Sequence, residues 1–181
     1  MEPYFIRKAT AEDLDAVEII YNKIHEAEMD KKLTTGWLRG VYPARRTAEE
    51  ALQRDDLYVL DAEGKISGAA IINQIQADVY AKGKWEHDAR DTEVCVLHTL
   101  VISPDAAGRG YGRAFVKFYE TYAEKTGCRE LRMDTNEKNT AARALYKKLG
   151  YREAGIWPTV FNGIPDVNLV LLEKYLSESQ L

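Results

Sequence analysis

The pattern of apolar and polar positions predicts a chain that alternates between strands and helices. Residues 94–102 form a short, almost wholly apolar run rich in β-branched residues, which is typical of a strand buried on both faces. A glycine-rich loop follows this run. Beyond the loop, apolar side chains recur at helical spacing, namely Phe115, Phe118, Tyr119, Tyr122 and Ala123. We therefore expect a strand in the middle of a sheet, followed by a loop and a helix.

The remaining segments extend this alternation into a complete α/β fold. One helix is expected after Thr10, and the polar stretch 25–35 is expected to close it or loosen it into a loop. A second helix is expected from Thr47, which starts a capping box, and another over residues 138–149. The other predicted strands are residues 4–9, 57–61, 65–75, 130–135, 151–157 and 167–172, with 158–166 as a loop between the last two. The order βααββ-βαβα-ββ implies one domain over residues 1–181, with a mixed, mostly antiparallel central sheet and helices on both faces.

Composition narrows the class of protein. The 181 residues are 45% hydrophobic and 30% charged, which is ordinary for a globular chain. We expect a cytoplasmic protein, since neither a signal segment nor an apolar run of spanning length is visible. A net charge of −4 argues against nucleic-acid binding. Cys95 and Cys128 lack CxxC or Cys/His spacing, so neither a disulfide framework nor a metal site is expected.

The glycine loop is the first candidate site. Its glycines stand at alternate positions in Gly108-Arg109-Gly110-Tyr111-Gly112, directly before the predicted helix and Arg113. Backbone N–H groups and the positive end of a helix dipole converge at such a point, and the two arginines add charge. This combination indicates a phosphate or carboxylate site. The alternative is a tight strand-to-helix turn that binds no ligand.

A second motif lies one βα unit further along the chain. It comprises Asn139, Ala142, Leu145, Tyr146, Gly150 and Tyr151, spaced as Asn-x-x-Ala-x-x-Leu-Tyr-x-x-x-Gly-aromatic. With this pair of motifs in this order, the chain resembles the GNAT acetyltransferase superfamily. One departure concerns the start of the loop, where the family usually has Gln or Arg and this chain has Ala107.

The resemblance implies acetyl-CoA as co-substrate. It places the pyrophosphate on the backbone amides of the loop and pairs the pantetheine arm with the edge of the buried strand. The residues that it assigns to the cofactor are Leu100, Val101, Ile102, Arg109, Gly110, Tyr111, Gly112, Arg113, Asn139 and Tyr146. For two of these positions a purely structural alternative stays open: Asn139 could cap its helix, and Tyr146 could be a core aromatic.

Acetyl transfer to an amine needs a proton acceptor, an oxyanion donor and a proton for the leaving sulfur. The resemblance makes Tyr146 the proton donor and a backbone N–H of Leu100 or Val101 the oxyanion donor, provided that a bulge separates this strand from its neighbour. His98 is the candidate base, because a histidine is unusual in an apolar strand and titrates near neutral pH. The alternative for His98 is a core histidine that is satisfied by hydrogen bonds.

The sequence does not identify the amine acceptor. Large aromatics in irregular segments are expected to line its pocket, namely Trp37, Tyr42, Trp85 and Phe161. The expected acceptor is a small-molecule amine, an amino acid or a peptide, and the pattern does not choose among them. A non-catalytic acyl-CoA-binding sensor or interaction module of the same fold is the competing function, and a homodimer is also among the expectations.

Overall fold

The computed structural model describes residues 3–177. Met1 and Glu2 lie outside the described residues, and the expectation of no signal segment partly depends on them. Within residues 3–177 the strands are β1 (Tyr4–Lys8), β2 (Leu57–Ala62), β3 (Lys65–Asn73), β4 (Val94–Ile102), β5 (Glu130–Asn136), β6 (Arg152–Phe161) and β7 (Ile164–Tyr175). The α-helices of this range are α1 (Leu14–Met29), α2 (Arg45–Gln53), α3 (Tyr111–Lys125) and α4 (Thr140–Lys148). The predicted order βααββ-βαβα-ββ is confirmed.

The strands of the described range form one mixed sheet in the order β1-β2-β3-β4-β5-β7-β6. β4 and β5 run parallel, and α3 makes the crossover that a parallel pair requires. Every other neighbouring pair is antiparallel. β4 occupies the middle of the sheet, as its apolar run predicts.

Helices cover both faces of the sheet. α1 and α2 pack on one face, where Val17 and Tyr21 belong to a buried cluster with Val101 of β4. α3 and α4 pack on the other face, where Phe115 and Tyr119 are fully buried. Each helix therefore turns its apolar stripe to the sheet, which is how amphipathic helices are stabilised in a globular fold. In the described part of the chain, no helix is both long and apolar enough to cross a membrane.

The pairing of β4 with β5 stops halfway along β4. The parallel register runs from Val94 opposite Glu130 to Leu97 opposite Met133. Past this point the register of β4 against β3 shifts, and Thr99 has a φ of 50°, a left-handed conformation that is rare for a β-branched residue. This bulge is the feature on which the predicted oxyanion donor depends. It leaves the outer half of β4 without a strand partner on the β5 side.

One predicted helix boundary is confirmed and one is wrong. α1 ends at Met29, inside the polar stretch 25–35 that was predicted to close it, and its last turn is held by contacts with the segment that follows. His25 Nε2 lies 2.8 Å from Pro43 O, and the Glu28 carboxylate accepts hydrogen bonds from the backbone N–H groups of Thr35 and Gly36. α2 begins at Arg45 rather than at Thr47, whose hydroxyl accepts a hydrogen bond from the N–H of Ala44 at 3.0 Å.

The predicted loop over residues 158–166 is also wrong. β6 and β7 continue through most of it and are joined by the two residues Asn162 and Gly163, with φ of 48° and 83°. Positive φ at both central residues is typical of a type I′ hairpin turn, and Asn-Gly is its favoured sequence. Pro158 does not end the strand, because β6 is at the edge of the sheet and an edge strand tolerates proline.

Candidate active site

The gap between β4 and β5 opens into a cavity of about 710 Å³. Its walls come from both faces of the sheet: α4 contributes on one side, and α2 and the β6–β7 hairpin contribute on the other. Seven of the residues singled out in the sequence line it, namely Trp37, Tyr42, His98, Leu100, Asn139, Tyr146 and Phe161. The structure thus brings candidate catalytic and acceptor residues together around one opening in the sheet.

The glycine loop forms a backbone cradle at the start of α3. Gly108 and Gly110 both have a φ of 78°, and a Cβ at either position would meet nothing within 4 Å. The first hydrogen bond of the helix runs from Ala114 N–H to Gly110 O, so the three preceding amides come before the helical ladder. Such amides at the positive end of a 15-residue helix suit a phosphate group.

The cradle lies beside the free edge of β4. A Cβ on Gly112 would be 3.7 Å from Leu145 Cδ2 of α4 and 3.9 Å from Ile102 Cγ1 of β4. The loop is therefore placed between the end of the strand and the helix that carries Tyr146. The backbone amides of the loop, the free strand edge and open space around the glycines fit the diphosphate and amide-bearing arm of acetyl-CoA, and the side chains of Arg109 and Arg113 are exposed nearby.

The free edge of β4 presents alternate backbone groups to the gap. Ser103 N–H donates to Ser67 O of the β3 side at 2.9 Å, and Val101 is paired with Ala69 of β3. Because successive N–H groups of a strand point to opposite sides, the N–H groups of Leu100 and Ile102 face the gap. Leu100 also lines the cavity, so of the two predicted oxyanion donors the geometry favours Leu100 over Val101.

Tyr146 comes to the cavity from α4. The side chain is 7% exposed, and its ring makes an edge contact with Tyr151 at 6.1 Å between centroids. Burial, together with the nearby charge of Asp134, raises the pKa of the Tyr146 hydroxyl above its usual value. This hydroxyl therefore keeps its proton at neutral pH and is chemically able to donate it.

His98 lies at the end of a hydrogen-bonded chain that fixes its tautomer. The Asp56 carboxylate accepts from Asn73 Nδ2 at 2.9 Å, which orients the Asn73 amide so that Oδ1 faces the imidazole. Oδ1 of Asn73 lies 2.8 Å from His98 Nε2 and also accepts from the N–H of Ile75. His98 Nε2 is thus the protonated nitrogen, and Nδ1 is the atom that can accept a proton. Burial lowers the pKa of His98 to about 4.

Asp134 is a cavity residue that sequence reasoning missed. It follows Met133, the last β5 residue paired with β4, and therefore lies where the two strands part. Burial raises its pKa to about 6, against the opposing effect of a hydrogen bond from the Tyr80 hydroxyl at 2.6 Å. The sequence carries no signal for Asp134 comparable to that for His98, because β5 also contains the polar residues Glu130, Arg132, Thr135 and Asn136.

Three of the aromatic side chains that were predicted for the acceptor pocket form one wall of the cavity. Tyr42 makes edge contacts with Trp37 at 5.8 Å and with Phe161 at 5.4 Å between ring centroids. The Tyr42 hydroxyl is hydrogen-bonded to Thr99 Oγ1, which connects this wall to the bulge of β4. The aromatic wall is therefore anchored directly to the strand that carries His98.

The fourth predicted aromatic, Trp85, does not belong to this wall. Its indole N–H donates to Tyr80 O at 2.8 Å, and its ring lies 4.1 Å from the Arg132 guanidinium, beside a different cavity. Position in an irregular segment predicted a pocket residue; the start of that segment, Ala77 to Val79, does line the cavity, but Trp85 lies further along it, beside the second cavity. Asn139, by contrast, has both predicted features: it lines the cavity, and its side chain caps α4 by accepting from Ala142 N–H at 3.3 Å.

Comparison with known sequences identifies one family. The model of the Acetyltransferase (GNAT) family matches residues 21–151, more than half of the chain. An uncharacterized N-acetyltransferase of Methanocaldococcus jannaschii is 28% identical over 155 residues, which are 84% of this chain and 62% of that relative. The chain thus spans less than two thirds of that relative's length. A type 1 aminoglycoside N(6')-acetyltransferase of Stenotrophomonas maltophilia is 25% identical over 118 residues, or 63% of this chain and 74% of that relative.

Solved structures share the fold. A GNAT-family acetyltransferase of Streptococcus agalactiae superposes with a TM-score of 0.80 at 23% identity, covering 97% of this chain and 96% of that one. A protein of Salmonella typhimurium that was solved with its cofactor acetyl-CoA gives a TM-score of 0.68 at 18% identity, with coverage of 97% and 95%. At these identities the likeness establishes the architecture of the sheet and helices.

Proposed function

The chain belongs to the GNAT acetyltransferase family, and from this premise we propose that it transfers an acetyl group from acetyl-CoA to a primary amine by direct attack. The observation that carries the proposal is the single cavity that passes through the sheet where β4 and β5 part. A backbone cradle for phosphate lies beside one side of it, an aromatic wall lies on the other, and Tyr146, His98 and Asp134 lie around the opening.

Binding of the co-substrate uses mainly the backbone. The amides of residues 110–113 hold the diphosphate, with Arg109 and Arg113 adding positive charge at the rim. The free edge of β4 at Leu100 and Ile102 pairs with the amide groups of the pantetheine arm. Ala107 replaces the Gln or Arg that the family usually has at the start of the loop, so one side-chain contact to the co-substrate is lost. The cradle itself is intact, because it is made of backbone amides.

Asp134 is the better candidate for the base that deprotonates the acceptor. An alkyl amine has a pKa of about 10 and arrives as an ammonium ion, so it must lose a proton before it can attack. A base works best when its pKa is close to the working pH. The pKa of Asp134 is about 6, whereas that of His98 is about 4, so Asp134 takes a proton more readily. Neutral His98 then accepts a hydrogen bond from the acceptor through Nδ1.

The remaining two roles fall to Leu100 and Tyr146. When bound, acetyl-CoA supplies an electrophilic thioester carbonyl. The N–H of Leu100 stabilises the negative charge that develops on the carbonyl oxygen, as a preorganised backbone donor. The Tyr146 hydroxyl would protonate the leaving sulfur as it departs; its raised pKa means that it still holds its proton at neutral pH.

The acceptor is a small amine with an apolar portion. Trp37, Tyr42 and Phe161 offer ring faces and edges that pack on carbon and attract an ammonium group. The tight Asn162–Gly163 turn of the β6–β7 hairpin brings Phe161 over the cavity, which favours a compact acceptor over an extended chain. The Stenotrophomonas relative, which acts on aminoglycosides, is consistent with an amine-bearing small molecule.

Release of free CoA with a panel of amines tests the proposal. The panel contains an arylalkylamine, a polyamine, an aminoglycoside, free lysine and amino acids with only an α-amine. We expect turnover with at least one small amine. If the protein binds acetyl-CoA and no amine in the panel elicits CoA release, the transferase proposal fails and a non-catalytic CoA-binding module replaces it.

A pair of tryptophan variants tests the position of the acceptor. Trp37→Leu should raise the KM for the amine by about 10-fold, because loss of one aromatic contact costs on the order of 1 kcal/mol. Trp85→Leu is the matched control, since Trp85 lies outside the cavity, and should leave this KM within about twofold of wild type. Equal increases for both variants would contradict the assignment of the acceptor side.

A further inference from the structure

Three side chains with metal-binding atoms meet at the end of β5 that lies away from the catalytic cavity. They are His87 from the irregular segment before β4, Glu130 at the start of β5, and Glu173 of β7. One nitrogen or oxygen from each lies within 4.8 Å of the others. No metal-binding motif is visible in the sequence, because these ligands come from three segments that only the folded sheet brings together.

Each carboxylate uses one oxygen for a cation or an amide. Glu130 Oε1 accepts from Arg132 Nε at 3.1 Å. Glu173 Oε1 accepts from Glu86 N–H at 2.8 Å and from Arg152 Nε at 2.9 Å. These contacts use Oε1 of each carboxylate, which we call the outer oxygen, and leave Oε2, the inner oxygen, without such a contact.

The inner oxygens, Oε2 of Glu130 and Oε2 of Glu173, are buried, and no group of the described residues donates a hydrogen bond to either. Glu130 is 0% exposed and Glu173 is 3% exposed. A buried carboxylate oxygen without a donor is costly, because nothing replaces its lost hydration. Two such oxygens that face each other need a positive centre between them.

A proton or a metal ion can be that centre. We propose that Glu130, Glu173 and His87 form a binding site for a divalent transition-metal ion, with one carboxylate oxygen of each glutamate and one imidazole nitrogen as its ligands.

The chemistry of the ligands indicates the class of metal. One imidazole and two carboxylates suit Zn²⁺, Mn²⁺ or Fe²⁺. Bonds of about 2.0–2.2 Å place the ligands of one ion closer together than 4.8 Å, so the three side chains close slightly around it. The His87 ring is already held flat against Tyr175, with 4.0 Å between ring centroids and 6° between planes. His87 also lines a second cavity, which gives an ion a route from solvent.

The ion would stabilise the fold next to the active site. It would fasten the segment between β3 and β4 to β5 and β7. This segment also supplies Ala77, Asp78 and Val79 to the wall of the catalytic cavity. The proposed ion is thus structural, it takes no part in acetyl transfer, and the inference does not depend on the proposed function.

Metal binding to the full chain tests this inference. The protein is treated with EDTA, dialysed against ZnCl₂ or MnCl₂, and measured for bound metal per chain and for the midpoint of thermal unfolding. We expect one ion per chain and a higher unfolding temperature in its presence. Glu130→Gln, nearly isosteric with the protonated side chain, and His87→Ala should each weaken binding by at least about 10-fold.

Asp88→Asn is the matched control, because Asp88 is an exposed carboxylate in the same segment. It should bind the metal as wild type does. Absence of stoichiometric binding by wild type would overturn the proposal. Wild-type metal affinity in His87→Ala would overturn it as well. Because His87 is half-exposed, its replacement should be tolerated by the fold, and the test remains valid even if Glu130→Gln does not fold.

Discussion

Asp134 acquires its candidate role from its surroundings. Its carboxylate is partly buried where β4 and β5 separate, and it accepts a hydrogen bond from the Tyr80 hydroxyl. Burial disfavours the charged form and raises the pKa towards the range in which a base is useful near neutral pH. His98 is shifted in the opposite direction by the same burial, because its charged form is the protonated one.

These opposite shifts predict the pH dependence of the reaction. A base is active only when it has lost its proton, so kcat/KM for the amine should fall as the pH drops below about 6. Asp134→Asn should abolish this acidic limb and lower kcat by about 10²–10⁴-fold, and His98→Gln should retain the limb. A limb near pH 4 that disappears in His98→Gln would instead make His98 the base.

The Asp134 carboxylate should lower the free energy of unfolding at neutral pH. The folded pKa of Asp134 lies above its unfolded value, so folding is favoured by the protonated form and this contribution is lost as the pH rises through about 6. Asp134→Asn removes the buried charge and should raise the free energy of unfolding by about 1–2 kcal/mol at pH 8. Denaturant unfolding should show this gain shrinking towards pH 4. A variant less stable than wild type at pH 8 would contradict the assignment.

At the level of elements, the glycine loop joins a strand end to a helix start through left-handed residues. Gly110 has a φ of 78°, and its Cβ position opens onto free space above the first amides of α3. Glycine is therefore needed here for two reasons. One is backbone strain, and the other is close approach of the ligand to the amides.

A pair of alanine variants separates these two reasons. Gly64 in the β2–β3 turn has a φ of 81° and an equally open Cβ position, far from the cavity. Gly110→Ala and Gly64→Ala should each lower the free energy of unfolding by about 1 kcal/mol. Gly110→Ala alone should also raise the KM for acetyl-CoA, by about 10-fold, because its methyl group blocks the phosphate. An unchanged KM in Gly110→Ala would exclude the loop as the phosphate site.

The elements that the sequence predicts well are those with a strong local pattern. The apolar run of β4, the alternating glycines and the helical spacing of α3 each depend on neighbouring residues, so their bounds agree closely with the structure. The sequence left the exact end of α1 open within the stretch 25–35, because that end depends on contacts of the last turn with Pro43 and Thr35. The β6–β7 hairpin was longer than predicted because Pro158 is tolerated on an edge strand.

The sequence identified a candidate site residue only where a chemically reactive side chain stands in an element with a clear apolar pattern. His98 and Tyr146 stand out in their own elements, and the structure places both at one cavity. Asp134 was missed because its importance comes from the gap between β4 and β5, which depends on the bulge at Thr99. Trp85 was predicted to line the acceptor pocket but lies outside the cavity. Its segment has no periodic pattern, so the position of its side chain depends on tertiary contacts such as that with Arg132.

At the scale of the whole molecule, the parted strands connect two surfaces that a continuous sheet would keep separate. The glycine loop, α3 and α4 lie on one side, and α2 and the aromatic wall of Trp37, Tyr42 and Phe161 lie on the other. A donor and an acceptor can therefore approach from opposite sides and meet at the bulge. In the proposed mechanism the acetyl group passes directly between them, with no covalent bond to the protein.

Tyr146 lies at this meeting point, and the central claim is that its hydroxyl donates a proton during transfer. The most direct test measures kcat with the best amine and the Kd for acetyl-CoA in Tyr146→Phe. Tyr151→Phe is the matched control, because it removes the hydroxyl of the adjacent ring, whose partner is Glu120 outside the cavity. For Tyr146→Phe we expect kcat to fall by about 10²-fold with Kd within about twofold of wild type, and for Tyr151→Phe a nearly unchanged kcat. Equal losses of kcat in the two variants, or an unchanged kcat in Tyr146→Phe, would contradict the account.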